Sequence, residues 1–253
     1  MTEELASWAR PYYRAGGGDP FLFYVIYGPT PAEFAVSRSR YRCAGVPEGI
    51  RLVRYGPDSD PEVPASFRTG YLWDELNRGD ARLAGLVESQ TECTIVSGSI
   101  SDPADLDYFR DVVGLIQWLV DSGGVAVYDP QSFKWWGAGE WRDSAFDSDT
   151  GSPRHHVVIL SSEDEGGEWL HTRGLRKFGR PDLSVHHVGP EYREAVIDLL
   201  NRFIEFQAFG GVIDEGETVR MSTLPAGMTC QHRGDVDDPA FNNSHVEIRW
   251  PDW

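Results

Sequence analysis

The sequence predicts an α+β protein in which two long helices lie against a mixed or antiparallel sheet of the ferredoxin-like kind. Two segments combine the helical spacing of apolar residues with clear start and stop signals, and each ends in Gly-Gly-Val. Roughly six to eight shorter apolar segments, separated by Gly, Pro and Asx residues, have the length of strands and often fall in hairpin-like pairs. Hydrophobic residues make up 40% of the 253-residue chain, which is enough for a sizeable core.

The N-terminal third, residues 1–90, is expected to pack on an α+β core formed by residues 91–253. Its predicted elements are strands at 21–27 and 50–55 and a helix at 71–89. The first strand is aromatic and β-branched and stops at Gly28. Gly79 and Gly85 weaken the helix, since glycine has a low helix propensity.

Residues 93–128 are predicted to form a β-α-β unit. Asp102 is a residue type that accepts hydrogen bonds from the free N–H groups of a first helical turn, and Pro103 fits that turn because its missing donor is not needed there. Gly123 supplies a left-handed stop, and a strand at 125–128 follows.

Residues 183–222 are predicted to form a similar unit, with a strand at 183–188 and a helix from Pro190 to Gly210. An offset of 87 residues aligns the Pro starts and the Gly-Gly stops of the two helices. Either an ancient duplication or two ordinary helices with similar end signals explains the match. If the units are equivalent, they occupy equivalent places in the fold. The remaining predicted strands are 155–160, 169–173, 218–222, 228–232 and 246–250.

The formal charge of −17 disfavours nucleic-acid binding and suits either solubility or a basic protein partner. Residues 91–152 hold three basic and eleven acidic residues and are the candidate surface for such a partner. Three distant cysteines, an acidic N-terminus and the lack of a long apolar segment favour a cytoplasmic protein with no membrane association. The glycine spacing of nucleotide sites is also missing, so no cofactor is predicted.

One loop concentrates basic residues in this acidic chain. Its candidate ligand-binding residues are His171, Arg173, Arg176, Lys177 and Arg180. The cations either bind a small anionic ligand or pair with local acids as part of the scaffold. Trp135 and Trp136, in an unusual aromatic segment with Lys134, are either a binding platform beside this loop or part of the core.

The sequence GLRKFGRPDL at residues 174–183 resembles the Gly-[Leu/Met]-x-x-Phe-Gly-x-Pro-[Asp/Glu]-[Leu/Ile] signature of bacterial families known as domains of unknown function. The segment GGVAVYDPQSFKWW from Gly123, with the later Glu140 and Trp141, is similar to a stretch common in the same group. The likeness covers roughly residues 93–222. It implies a bacterial cytoplasmic protein and assigns no catalytic residue.

Two functions remain open at this point. A non-catalytic binding or protein-interaction protein, analogous in charge to immunity proteins against cationic toxins, is favoured because no nucleophile, base and oxyanion set is recognisable. The alternative is a metal-assisted hydrolase, whose candidate ligands are Cys230, His232, Asp235 and His245. The spacing of these residues is unusual for zinc, and the sequence after His232 is typical of an Asx-rich turn, so we predict no metal there.

Overall fold

The computed structural model describes residues 5–148 and 151–251, and it is an α+β protein with two five-stranded sheets. The first of two compact units takes the described parts of Met1–Ala9, Phe21–Ile100 and Asp105–Ser152, and the second those of Arg10–Pro20, Ser101–Ala104 and Pro153–Trp253. The domain boundary predicted at residue 90 falls inside the first unit. In the described ranges, no helix is both long and apolar enough to span a lipid bilayer.

The first sheet is antiparallel. Its strands are β1 (Phe21–Tyr27), β2 (Ile50–Tyr55), β3 (Cys93–Ser99), β4 (Ala126–Asp129) and β5 (Lys134–Gly137), in the order β2-β3-β1-β4-β5. Tyr24 and Ile26 alternate along β1 with Val25 and Tyr27, and all four are buried. A strand buried on both faces needs packing partners on both sides, which explains its nearly continuous apolar sequence.

Helices supply those packing partners. They are α1 (Arg38–Tyr41), α2 (Val63–Ser66), α3 (Tyr71–Gly79), α4 (Ala81–Glu88), α5 (Asp107–Asp121) and α6 (Ala138–Trp141), with a π-helical turn at Arg142–Phe146. The single helix predicted at 71–89 is two helices. They separate at Asp80, whose carboxylate accepts the N–H of Leu83 at 2.9 Å and so caps α4. Leu83 and Val87 of α4 pack with Val25 of β1.

The start of α5 differs from the prediction. The helix begins at Asp107, not at Pro103, and Asp105 Oδ1 accepts the N–H of Asp107 at 3.0 Å. Asp102 does not cap the helix because its carboxylate pairs with Arg10 and Arg180.

The second sheet is mixed. Its strands are β6 (Val158–Asp164), β7 (Gly167–Arg173), β8 (Asp182–Val188), β9 (Thr229–Arg233) and β10 (His245–Arg249), in the order β6-β7-β8-β10-β9. The helices of this unit are α7 (Pro153–His156), a 3-10 turn at Leu175–Phe178 and α8 (Arg193–Ala208). The pair β8 and β10 is parallel, and the other pairs are antiparallel.

Three predicted elements of the second unit need correction. His155 and His156 lie in α7, and the strand begins only at Val158. Residues 218–222 form no strand, and Thr218 makes only an isolated bridge to Thr229. The helix predicted from Pro190 begins at Arg193.

The two predicted β-α-β units are not equivalent. The strands β3 and β4 both pair antiparallel with β1, which lies between them. In the second sheet β8 pairs directly with β10, and β9, the first strand after α8, lies outside that pair. The prediction of equivalent places is therefore wrong. The α+β class is confirmed, but the strands divide between two sheets and the ferredoxin-like arrangement with two long helices is not confirmed.

Candidate functional site

The basic loop is part of the buried framework of the second unit. Lys177 is fully buried, and its Nζ donates to the carbonyl of His156 at 2.6 Å, where α7 ends. Arg173 donates to the carbonyl of Ala240, and Arg176 donates to that of Asn242 at 2.8 Å. These cations hold carbonyls of neighbouring segments.

Arg180 stabilises the chain beyond the C-terminal end of α8. Its Nε and Nη2 donate to the carbonyls of Gly211 and Gly210, each at 2.9 Å, where the negative end of the helix dipole favours a cation. Its Nη1 lies 3.2 Å from Asp102 Oδ1, which also pairs with Arg10 at 2.9 Å. The side chains of both arginines are fully buried. These contacts favour the scaffold interpretation of the loop.

The signature at residues 174–183 forms the turn that presents these cations. Gly174 and Gly179 flank the 3-10 turn with φ of +119° and +64°, in the left-handed region that favours glycine. A Cβ at Gly179 would lie 2.0 Å from the carbonyl oxygen of Gly18, so the close approach also requires glycine. Leu175 and Phe178 are buried beneath the turn. The signature residues therefore have structural roles here.

A buried carboxylate completes this framework. Asp182 accepts hydrogen bonds from Thr172 Oγ1 at 2.9 Å, from Asn243 at 2.8 Å and from the N–H of Leu175 at 3.2 Å. Burial raises the pKa of Asp182 to about 6 despite these bonds.

Trp135 and Trp136 lie in the first unit, whereas the basic loop lies in the second. Trp136 is fully buried and meets Trp141 edge to face at a centroid distance of 5.5 Å. Trp135 stacks on Tyr128 at 4.2 Å. The geometry supports a core role for both rings.

The predicted metal ligands are divided between the two faces of the second sheet. Cys230 pairs with Ile248 and His232 with Val246, so both side chains belong to the face that carries those apolar residues. His245 pairs with Arg233 and therefore belongs to the opposite face. Asp235 lies in the exposed turn after β9. No group of three or more His, Cys, Asp or Glu side chains suited to a metal occurs in the described part of the chain, so the metal-site alternative is not supported.

A different set of side chains meets on the second sheet, on the face opposite to the buried Leu170, Val185 and Val246. We call it the outer face. It carries Trp169, His171, Ser184, His186, His245 and Glu247, together with Arg173, Arg233 and Arg249, of which the last two pair with Glu247. The ring of Trp169 stacks on His171 at 3.9 Å and on His186 at 5.1 Å, nearly parallel to both. Its Nε1 donates to Ser184 Oγ at 2.9 Å, which fixes the indole.

The histidines of the outer face differ in environment. His171 is only 7% exposed, and burial, with smaller effects from Arg173 and the other histidines, lowers its pKa to about 4. Burial also lowers the pKa of His245, which stacks on Phe241 at 4.1 Å. His186 remains 39% exposed, and its Nδ1 lies 2.9 Å from Asp164. This hydrogen bond lowers the pKa of Asp164, which is therefore ionised at neutral pH.

Acidic turns border the outer face at both ends. The hairpin of β6 and β7 carries Glu163 and Asp164 at the end of β6 and Glu165 in its turn, beside the end of β8, where His187 donates its N–H to Asp164. The turn between β9 and β10 carries Asp235, Asp237 and Asp238 at the other end. An aromatic surface between two acidic turns suits a cationic ligand.

No known protein-family model, curated protein or solved structure matches this chain.

The sequence predicts that the acidic residues of 91–152 face a partner. Several of them instead accept hydrogen bonds within the first unit. Asp121 accepts from Gln117, Arg40 and Arg142. Asp129 is fully buried and accepts from the hydroxyl of Ser132 at 2.7 Å. The acidic turns of the second unit are better placed for a partner because they border an aromatic surface.

Sequence reasoning missed the outer face as a site. Trp169 and His171 stand two residues apart on one predicted strand, and His186 stands on another. Residues two apart on a strand share one face, so the sequence already indicated that Trp169 and His171 are neighbours. Only the register between β7 and β8 brings them together.

Proposed function

We propose that this chain is a non-catalytic binding protein that holds a positively charged segment of a protein partner on the outer face. The observation that carries the proposal is the half-buried ring of Trp169, which stacks on His171 and on His186. Tryptophan is enriched among the residues that dominate binding energy, and a ring already fixed by its neighbours loses little entropy on binding. The acidic turns at both ends supply the charge complementarity.

The state of the thiols supports a non-catalytic role. Burial raises the pKa of Cys43 and of Cys93 to about 11, and that of Cys230 to about 12. All three are therefore protonated at neutral pH and are poor nucleophiles. The signature at residues 174–183 supports placing the chain among bacterial cytoplasmic proteins, with no activity carried over from that resemblance.

The test is a titration of the full chain with a fluorescein-labelled lysine-rich peptide, followed by fluorescence anisotropy at low and high salt. We expect Trp169→Ala to raise the Kd about tenfold or more, as for a central aromatic contact. Tyr71→Ala is the control, since Tyr71 is 70% exposed and lies in the first unit. Trp169→Leu is a second variant that removes the ring but keeps an apolar side chain at this position, so that a loss of binding can be distinguished from a loss of folding.

The charge contribution is tested with the double variant Asp235→Asn/Asp237→Asn, which should weaken peptide binding most at low salt. The matched control is Asp58→Asn/Glu62→Gln in the first unit, where both side chains are exposed. Binding that all these variants leave unchanged would show general charge attraction and would refute the proposed site.

A further inference from the structure

A groove lies at the end of the outer face where β8 and β10 finish. Two cavities of about 330 and 340 Å³ share His187 and Trp250 in their linings. The first also contains His186, Glu247 and Arg249 of the outer face, and there Arg249 pairs with Glu247. The groove is therefore continuous with the surface proposed for the partner.

The second cavity is lined by aromatic rings, prolines and one carboxylate. Tyr192 and Trp250 lie with ring centroids 5.3 Å apart, and Pro225 and Pro251 add apolar surface. Trp250 Nε1 donates to the carbonyl of His186 at 2.7 Å, which fixes the indole. None of the described residues that line this cavity is a lysine or arginine.

The carboxylate belongs to Glu191. Its side chain lies over Gly189, where a Cβ would come within 2.7 Å of Glu191 Oε2. Glu247, which lines the neighbouring cavity, pairs with Arg233 and Arg249 at 3.2 and 3.5 Å. The carboxylate of Glu191 is thus the acidic group of the groove that is open to an incoming cation.

The backbone at the groove is also unusual. His187 has a φ of +53°, a conformation that is rare for a residue with a Cβ. Its N–H donates to Asp164 at 3.1 Å and its ring contacts the carbonyl of Glu165, so the acidic turn holds it in place. His187 lies where the pairing of β7 with β8 shifts register, since His186 and His187 together stand opposite Trp169, and such bulges re-aim side chains.

We propose that this groove receives one lysine or arginine side chain of the partner, an inference that rests on the proposed function. The aliphatic stem packs against Tyr192 and Trp250, and the charged head lies against the aromatic faces and pairs with Glu191. Trp169 anchors the rest of the segment.

The test uses the full chain and two small probes, N-acetyl-arginine methylamide and its uncharged analogue N-acetyl-citrulline methylamide. In two-dimensional NMR, the arginine probe should shift the amide signals of Gly166 and Gly189 and the indole signal of Trp250, whereas citrulline should bind at least about fivefold more weakly. The variant Glu191→Gln should weaken arginine binding about fivefold, and Glu194→Gln, whose side chain is 90% exposed at the start of α8, should leave it unchanged.

Equal binding of both probes, or undiminished arginine binding by Glu191→Gln, would overturn the groove assignment. The lysine-rich peptide separates this failure from that of the proposed function. If Trp169→Ala still weakens the peptide, the outer face stands without the groove.

Discussion

At the scale of single residues, Arg180 shows how a cation that stands out in an acidic sequence becomes part of the framework. Its guanidinium is buried against two carbonyls that follow α8 and against Asp102. A buried charge is tolerated only when its hydrogen bonds are satisfied, and removal of one partner leaves the others without compensation. His171 presents the opposite case of a titratable group kept neutral by burial.

We expect Arg180→Met to lower the free energy of unfolding by about 3–5 kcal/mol, because Asp102 and the two carbonyls lose a buried partner. The control is Arg14→Met. Arg14 pairs with Asp214 at the surface, where water and salt screen the charges, so its loss should lower the free energy of unfolding far less. Urea unfolding followed by circular dichroism gives both values. Similar losses in the two variants would contradict the buried role of Arg180.

The low pKa of His171 predicts a loss of stability in acid. Between pH of about 6.5 and 4, the unfolded chain binds a proton at this histidine that the folded chain does not, so stability falls as the pH falls. Relative to His171→Gln, the native protein should lose about 2–3 kcal/mol more between pH 7.5 and 4.5. The raised pKa of Asp182 acts in the opposite direction, but it is present in both proteins and cancels.

The measurement is urea unfolding at the two pH values. His155→Gln, at an exposed position, is the control and should keep the native pH dependence. An unchanged pH dependence in His171→Gln would mean that this histidine does not titrate as its burial requires.

At the scale of elements, the position of a tight turn depends on residues that allow a positive φ and close backbone contact. The 3-10 turn at Leu175–Phe178 is bounded by two glycines with positive φ. The same turn brings Lys177 to the end of α7 and Arg180 beyond the end of α8. A local distortion at this position therefore disturbs several elements at once.

Gly179→Ala should destabilise the protein by more than Gly216→Ala does. Both glycines have positive φ, +64° and +75°, so both substitutions carry the cost of a left-handed backbone, about 1–2 kcal/mol. A Cβ at Gly216 meets nothing within 4 Å, whereas one at Gly179 clashes with the backbone of Gly18. The difference in melting temperature between the two variants reports the cost of the clash between the added Cβ and the backbone of Gly18. Equal melting temperatures would show that the backbone around Gly18 yields at little cost.

At the scale of the whole molecule, the two units each hold buried cysteines. Cys43 and Cys93 belong to the first unit, and Cys230 belongs to the second. All three thiols have a raised pKa, so burial both shields them and keeps them protonated. They are therefore native reporters of the opening of each unit.

We expect a thiol reagent such as DTNB to react slowly with the native protein and to label all three cysteines once guanidinium chloride unfolds it. Peptide mapping after partial labelling identifies which unit opens at each denaturant concentration. Rapid labelling of Cys230 in the absence of denaturant would contradict its burial on β9.

The sequence by itself determined the α+β class and the positions of most elements, because apolar periodicity and Gly or Pro signals act over neighbouring residues. It identified β1 with its bounds, as well as the chain segments that form α5 and α8. The tertiary structure alone decided that Asp102 pairs with Arg180 rather than capping a helix. It also decided that Trp169 meets His186, because strand register joins residues that are distant in the chain. Ion-pair partners and facing strands depend on long-range packing, which a local pattern does not encode.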